Sequence, residues 1–430
     1  MVVICEIRFT NNPVGTYFAG QVVTGQVLLK SDKLKLVKAV VLKIKGYAHT
    51  SWSEKKSDDS TDWHTGHEDY IATKVYLLGS NNTNEVSIEP GIRTYNFACQ
   101  IPIRCPSSFE GLHGHVRYEV IVKLIRPWKF DQTFRRRFTV LKLLDLNAES
   151  YLLKSPAHSE SQKTFGCGIC LSSPLDLRLS LPQRGYVPGQ TIPVSVLATN
   201  ESYIRVEEIK VSLVMMVIYY SNPPCVETTT QNYVVAKKKG EGVLRNSKKQ
   251  FIFDLGVPPT PPTCFDLCRI LQIAYQIVVV AKVKGCHVNG SVHMPVTIGS
   301  VPFRQELQQQ QPRRIQPVDP IIPLVPQELD AKALVLLDKE EIDTTDTAPS
   351  PWASDLSINP PSYSEALHIP PNVKKSPKNS TNEEVEEPFT PLYPVFNISS
   401  PLASNGEQPT GYSNRGGFVD DDNIDRSSWL

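Results

Sequence analysis

Leu175-Asp176-Leu177-Arg178-Leu179-Ser180-Leu181 sets four leucines against three polar residues in strict alternation. An extended strand, whose side chains point to opposite faces in turn, separates the two kinds of residue; a helix mixes them. The same period runs through Val40-Val41-Leu42-Lys43-Ile44-Lys45-Gly46 and Tyr118-Glu119-Val120-Ile121-Val122-Lys123-Leu124. Turn signals stand between such runs: Ser31-Asp32-Lys33, Gly79-Ser80-Asn81-Asn82 and Ser221-Asn222-Pro223-Pro224. Within residues 1–300, no window of about 15 residues carries a 3.6-residue apolar period. Many short strands punctuated by turns predict an all-β chain built of antiparallel sandwiches.

A repeat divides this β region in two. Tyr17-x-x-Gly20-Gln21 precedes Val27-Leu28, and Tyr186-x-x-Gly189-Gln190 precedes Val196-Leu197, both at an offset of 169 residues. The same offset carries the strand after Val37 onto the one after Val206. One strand-turn-strand unit used twice explains this, with glycine supplying the turn conformation. The expected division is a domain over 1–148, a connector over 149–169 and a second domain over 170–303. Domains of this size bury roughly two thirds of their unfolded surface and need no staple.

From 304 to 430 the pattern changes. The chain holds 35 prolines, and 18 of them lie after residue 300. The net charge of +1 is a cancellation. Residues 1–300 carry 35 basic and 24 acidic side chains, and the remainder 10 basic and 20 acidic. A glutamine-rich run from Gln305 gives way to Pro317, Pro320, Pro323 and Pro326, a spacing suited to polyproline II. Residues 340–390 are acidic and rich in Ser, Thr and Pro, so a disordered tail is expected. Glu328–Ile342, with Ala331, Leu334, Leu337 and Glu341, is the exception, and reads either as a short amphipathic helix against a partner or the body or as more of the disordered tail.

Several classes of function are disfavoured. No segment reaches the roughly 18–20 apolar residues of a membrane helix, the longest apolar runs, Leu213–Tyr220 and Ile277–Ala281, being of strand length. Met1-Val2-Val3-Ile4-Cys5-Glu6 shows no secretory leader, and nine scattered cysteines do not form a disulfide framework. A cytosolic setting follows. Phosphate-binding, nucleotide-binding, zinc-protease and serine-hydrolase motifs are all missing. The histidines, including His64, His67, His113 and His115, read as loop residues. Cys167-x-x-Cys170, with Cys264 and Cys268, has zinc or redox spacing, yet a connector precedes it and a strand follows. Ordinary thiols are expected there, with no metal, no cofactor and no catalytic residue.

Two features point to partners. Arg135-Arg136-Arg137 and Lys237-Lys238-Lys239 form basic runs suited to solvated strand faces or to an anionic surface, lipid or phosphopeptide. They lack the interleaved aromatics that stack nucleic-acid bases, so no nucleic acid is expected. The stronger signal is Pro360-Pro361-Ser362-Tyr363, a Pro-Pro-x-Tyr motif. Its prolines pre-set an extended helix that slots between WW-domain aromatics, and the tyrosine ring fills a second pocket. Thr390-Pro391-Leu392-Tyr393 keeps only Pro391 and Tyr393, and reads as a weaker copy. A flexible chain of 30 residues spans roughly 30 Å, enough to engage two WW domains.

Ser108-Phe109-Glu110-Gly111, Gly114, Val116-Arg117-Tyr118, Leu124 and Arg126-Pro127-Trp128 together resemble the N-domain signature of α-arrestins, the arrestin domain-containing proteins. Gly185-Tyr186-Val187-Pro188-Gly189, Val257-Pro258-Pro259 through Tyr275, and Ile298-Gly299 resemble their C-domain. The resemblance covers about residues 1–303. It implies two arrestin-like antiparallel β-sandwiches and a non-enzymatic adaptor. Such an adaptor links plasma-membrane receptors or transporters to HECT-type ubiquitin ligases for ubiquitination, endocytosis and endosomal sorting. It works from the cytoplasm, peripherally at plasma membrane and endosomes. By analogy Pro360, Pro361 and Tyr363 contact the ligase, and Pro391 and Tyr393 do so only in part. The alternative is a redox regulator of the same fold that forms a mixed disulfide with thioredoxin. A further one is a metal hydrolase built around Cys167 and Cys170.

Overall fold

The structure is a computed structural model that describes residues 3–55, 60–80, 85–167, 170–171, 173–224, 226–304, 334–335, 361–366 and 389–397. The alternation seen in the sequence becomes strand burial. Leu175–Leu181 and Thr191–Asn200 each bury every second side chain.

In the first domain, Ile4–Phe9, Val22–Ser31 and Gly91–Gln100 pair antiparallel. A second sheet orders Thr16–Phe18, Gln132–Leu141, Gly114–Ile125, Ala39–Lys55 and Thr61–Gly79. Val23, Val27, Leu29 and Phe97 from the first sheet and Leu42, Ile44, Tyr118 and Val120 from the second are all core residues. In the second domain, one sheet orders Ala157–Lys163, Leu175–Leu181, Thr191–Asn200 and Ser247–Gly256. Its other sheet orders Gly185–Tyr186, Gly290–Ile298, Leu271–Val283, Val206–Tyr220 and Thr228–Val243. The architecture is all-β, two sandwiches in sequence.

The repeated motif is a repeated geometry. Tyr17 and Tyr186 each lie on a short strand running parallel to the last strand of its domain, Tyr17 beside Val140 and Tyr186 beside Ile298. This parallel pairing departs from the antiparallel pattern in a way that the alternation could not show. Gly20 and Gly189 both adopt left-handed backbone, φ 91° and 92°, where a β-carbon is strained. The Gln21 side chain accepts the Phe18 N–H at 2.8 Å, and Gln190 accepts the Val187 N–H at 2.9 Å. A second clamp is also duplicated. Ser108 exchanges two bonds with Val140, as Thr263 does with Ile298. Tyr118 and Tyr275 donate their hydroxyls at 2.7 Å to Pro106 and Pro261 carbonyls.

Within 304–430, Leu334–Val335 is extended and pairs with Ala98–Cys99, so these two residues are not helical, and the rest of Glu328–Ile342 lies outside the described residues. The free edge of Gly91–Gln100 offers unpaired backbone groups, and a short apolar segment satisfies them by strand pairing.

Of the histidines expected in loops, His113 lies in a bend before Gly114–Ile125, and the other three named need correcting. His49, His64, His67 and His115 lie on strands. His64 stacks on Trp52 with ring centroids 5.3 Å apart. His115 faces His49 at 5.7 Å, and His49 faces His67 at 6.3 Å. Burial, helped by Arg117 and His49, and less by Arg137 and His67, pushes the His115 pKa down to about 2. Below about pH 6.5 the unfolded chain therefore takes up a proton at this site that the folded chain refuses, so stability falls with pH. The effect is bounded by about 1.4 kcal/mol per pH unit for one site. The melting temperature of His115→Gln should drop less between pH 7.5 and pH 5 than that of the native chain, measured calorimetrically.

Candidate functional site

The duplicated turns leave two apolar spots on the surface of the body, one at Phe18 and one at Val187, which are equivalent positions of the repeat. Each is covered by an aromatic residue of the tail. Tyr393 packs against Phe18 and Leu141 and is 1% exposed. Phe396 packs against Leu146, Val187 and Val301 and is 2% exposed. Between them Leu392–Val395 forms a strand.

Polar bonds fix the position of this segment. The Tyr393 hydroxyl donates to the Ser108 carbonyl at 2.8 Å. The Leu392 N–H donates to Thr139 Oγ1 at 3.2 Å, and the Phe396 N–H to the Pro188 carbonyl at 2.9 Å. Complete burial holds the Tyr393 hydroxyl protonated far above the ordinary range. Gly189 approaches so closely that a β-carbon there would lie 2.7 Å from the Phe396 nitrogen and nearer still to its carbonyl oxygen. The glycine thus serves both its own turn and the passage of the tail.

Tyr363 joins the same assembly. Ser362–Glu365 pairs antiparallel with Leu392–Val395, in the register Ser362 to Val395, Tyr363 to Pro394, Ser364 to Tyr393 and Glu365 to Leu392. The Ala366 N–H donates to the Pro391 carbonyl at 2.9 Å. Tyr363 is half-buried against the Phe18–Leu141–Tyr393 cluster, and burial pushes its hydroxyl up to about 12. Pro361 is partly exposed, and Pro360 lies outside the described residues. The two Pro-Tyr motifs therefore sit together as paired strands, and Tyr393 is an interior side chain of the body.

The Ser108-Phe109-Glu110-Gly111 motif holds this region together. Glu110 receives both arms of Arg117, at 2.7 and 2.9 Å. Gly111 has no room for a β-carbon against Phe109 and the Tyr219 hydroxyl. The motif thus joins the groove to the seam between the sandwiches, where Leu144 N–H donates to Ser300 Oγ at 2.8 Å.

The two basic runs fare differently. Arg136 donates to the carbonyls of Ile7 at 2.6 Å and Pro13 at 3.2 Å, and caps the Phe9 ring at 4.5 Å. Arg137 lies across from the buried Glu119, 4.0 Å away. Both guanidinium groups are committed to the fold, and only Arg135 of this run is exposed. Lys237, Lys238 and Lys239 are all exposed on the strand Thr228–Val243, with Lys239 3.7 Å from Glu208. The side chains of Cys167 and Cys170 lie outside the described residues. Among the described residues no cluster of three or more His, Cys, Asp or Glu has metal-holding geometry.

Residues that sequence reasoning passed over are Phe18, Val187, Leu392 and Phe396. One signal was present. Phe389-Thr390-Pro391-Leu392-Tyr393-Pro394-Val395-Phe396 has three aromatics in eight residues, a density foreign to a solvated tail and suited to a docked one.

Residues 5–147 match the N-terminal domain of arrestin (or S-antigen), and residues 171–303 match its C-terminal domain. Arrestin domain-containing protein 17 of Caenorhabditis elegans is 30% identical over 316 residues, 70% of this chain and 71% of the relative. Arrestin domain-containing protein 4 of Mus musculus is 25% identical over 303 residues, 69% and 71% of the two chains. Human thioredoxin-interacting protein is 24% identical over 300 residues, 69% and 74%. Two sandwiches closed by a duplicated turn, matched domain by domain and by relatives along most of their length, place this chain in the α-arrestin family of arrestin domain-containing proteins.

Proposed function

We propose that this α-arrestin is a non-enzymatic adaptor that joins a membrane-protein cargo to a HECT-type ubiquitin ligase. The observation that carries the reading is Pro360-Pro361-Ser362-Tyr363 in a tail behind two arrestin domains. The motif offers a WW domain a proline pair and a tyrosine at the spacing its two pockets require. The sandwiches supply a rigid body for cargo, a receptor or transporter at the plasma membrane or endosomes. Lys237 and Lys238 are the better candidates for touching anionic lipid or a phosphorylated cargo tail, since Arg136 and Arg137 are used inside the fold. Tyr393, with its hydroxyl bonded inside the body, is unsuited to serve as a second WW ligand while docked.

A mixed disulfide with thioredoxin requires an accessible thiolate. Burial pushes Cys5 and Cys105 up to about 12 and Cys99 and Cys268 up to about 11, and raises Cys264 as well. At neutral pH these five are protonated, four of them buried and Cys5 half-buried. Cys286 is exposed and is where that chemistry would begin among the described thiols.

Titration of the full chain with an isolated WW domain tests the adaptor reading. Tyr363→Ala should weaken binding at least tenfold, about 1.4 kcal/mol, whereas Tyr393→Ala should cause no loss. Unchanged binding after Tyr363→Ala would sink the reading. A brief pulse of a thiol-alkylating reagent on the native protein, read by mass spectrometry, should modify Cys286 well before Cys5, Cys99, Cys105, Cys264 or Cys268.

A further inference from the structure

The groove between the two sandwiches already contains a peptide, and that peptide comes from the chain's own tail. We propose that the surface formed by Phe18, Leu141, Ser108, Thr139, Pro188 and Val187 is a docking site for an extended aromatic segment. Its occupant is Leu392–Phe396, and its occupancy masks Tyr363 from WW domains. The second half of this statement rests on the adaptor reading; the first half does not.

Three observations support the assignment. The groove is two-headed, because the duplicated turn presents one apolar spot per sandwich, and the segment answers with Tyr393 and Phe396, both fully buried. The fit is also polar and specific. One side-chain hydroxyl and two backbone N–H groups of the tail find acceptors on the body at 2.8, 3.2 and 2.9 Å. Finally, the motif tyrosine is held by the docked segment. Tyr363 lies on a strand paired with Leu392–Val395, and its ring leans on the same cluster.

A WW domain binds Pro-Pro-x-Tyr as a polyproline II segment, with the tyrosine ring in a pocket of its own. Ser362–Glu365 in a β-ladder, with Tyr363 half-buried, cannot present that shape. Ligase binding therefore requires the motif to leave its partner strand. The apparent affinity is the intrinsic one reduced by the fraction of chains whose motif is released. Any mutation or ligand that empties the groove raises that fraction without touching the motif.

The affinity of an isolated WW domain is measured for four ligands: a synthetic peptide of residues 356–368, which needs no fold to bind, the full chain, the Phe396→Asp chain, and that chain also carrying Tyr363→Ala. Hydrogen exchange over 389–397 is followed in parallel, with thermal unfolding as a check that the sandwiches are intact. The peptide and the Phe396→Asp chain should bind alike, and the full chain roughly tenfold more weakly. Adding Tyr363→Ala should abolish the gain, and the Leu392 and Phe396 amides should exchange slowly until Phe396 is replaced. Equal affinity for the peptide and the full chain would overturn masking. Fast exchange over 389–397 in the native chain would overturn docking. If the peptide itself fails to bind, the adaptor reading falls, and slow exchange would still establish the groove.

Discussion

The parallel pairing of each Tyr-x-x-Gly-Gln turn with the final strand of its own domain is the interaction on which the remaining features depend. The turn brings residues near the start of a domain beside residues at its end, so each sandwich is closed by its own sequence extremes. Left-handed glycine makes the reversal, and a glutamine side chain holds it by receiving the backbone N–H that the turn would otherwise leave unbonded. Because the device is used twice, its by-products are also duplicated. Phe18 and Val187, one residue past each tyrosine, carry apolar side chains at the outer rim of the closure. The seam between the sandwiches runs between these two rims, and Leu144, Leu146, Ser300 and Val301 cross it. A groove with two apolar ends follows from the fold before any tail is considered.

Charge is distributed in keeping with this construction. The positive balance of residues 1–300 suggests a broad basic face, yet part of it is structural. Arg136 gathers the carbonyls of two neighbouring segments over the Phe9 ring, and Arg117 and Arg137 answer carboxylates on adjacent strands. Burying a guanidinium without such partners is costly, so partnered burial marks these side chains as parts of the fold. The lysines of Thr228–Val243 lie on an edge strand, where exposed charge also discourages further strand pairing. Their presence has a structural cause whether or not an anion ever meets them.

The β-class, the duplication and the tail motif were legible because each is local: alternation, a spaced motif repeated, four consecutive residues. What was hidden depends on partners distant in the chain. The fate of Arg136 depends on Ile7 and Pro13, more than 120 residues earlier. Leu334–Val335 joins an edge of Gly91–Gln100 that only the assembled sheet exposes. His64 and His67 looked like loop residues because their run is polar, and His113 and His115 because Gly114 between them resembles punctuation. Gly114 sits where the His49 carbonyl and the Thr50 side chain leave no room for a β-carbon, and Gly66 where Thr50 Oγ1 and the carbonyl of Tyr220 in the second domain do the same. Tyr393 looked like a damaged copy of Tyr363. Thr390 in place of a first proline is a defect for a WW ligand, whereas Leu392 and Tyr393 both bond to the groove.

Pro394 shows how a tail segment can dock and still be able to leave. The bond from Ala366 N–H to Pro391 O sets the parity of the ladder, so residues 391, 393 and 395 turn their backbone groups toward Ser362–Ala366. Residues 392, 394 and 396 then face the body, and Leu392 and Phe396 donate to it. Pro394 stands between them on that edge with no N–H to give. An ordinary residue there would leave a donor to be satisfied or buried, and proline removes the question. It also removes a third rung that would have tied the segment more firmly to the body. Attachment falls instead on two aromatic side chains in separate pockets. The residue types that make a tail readable by WW domains, proline and tyrosine, are thus also those that let a strand dock through its side chains with few backbone bonds.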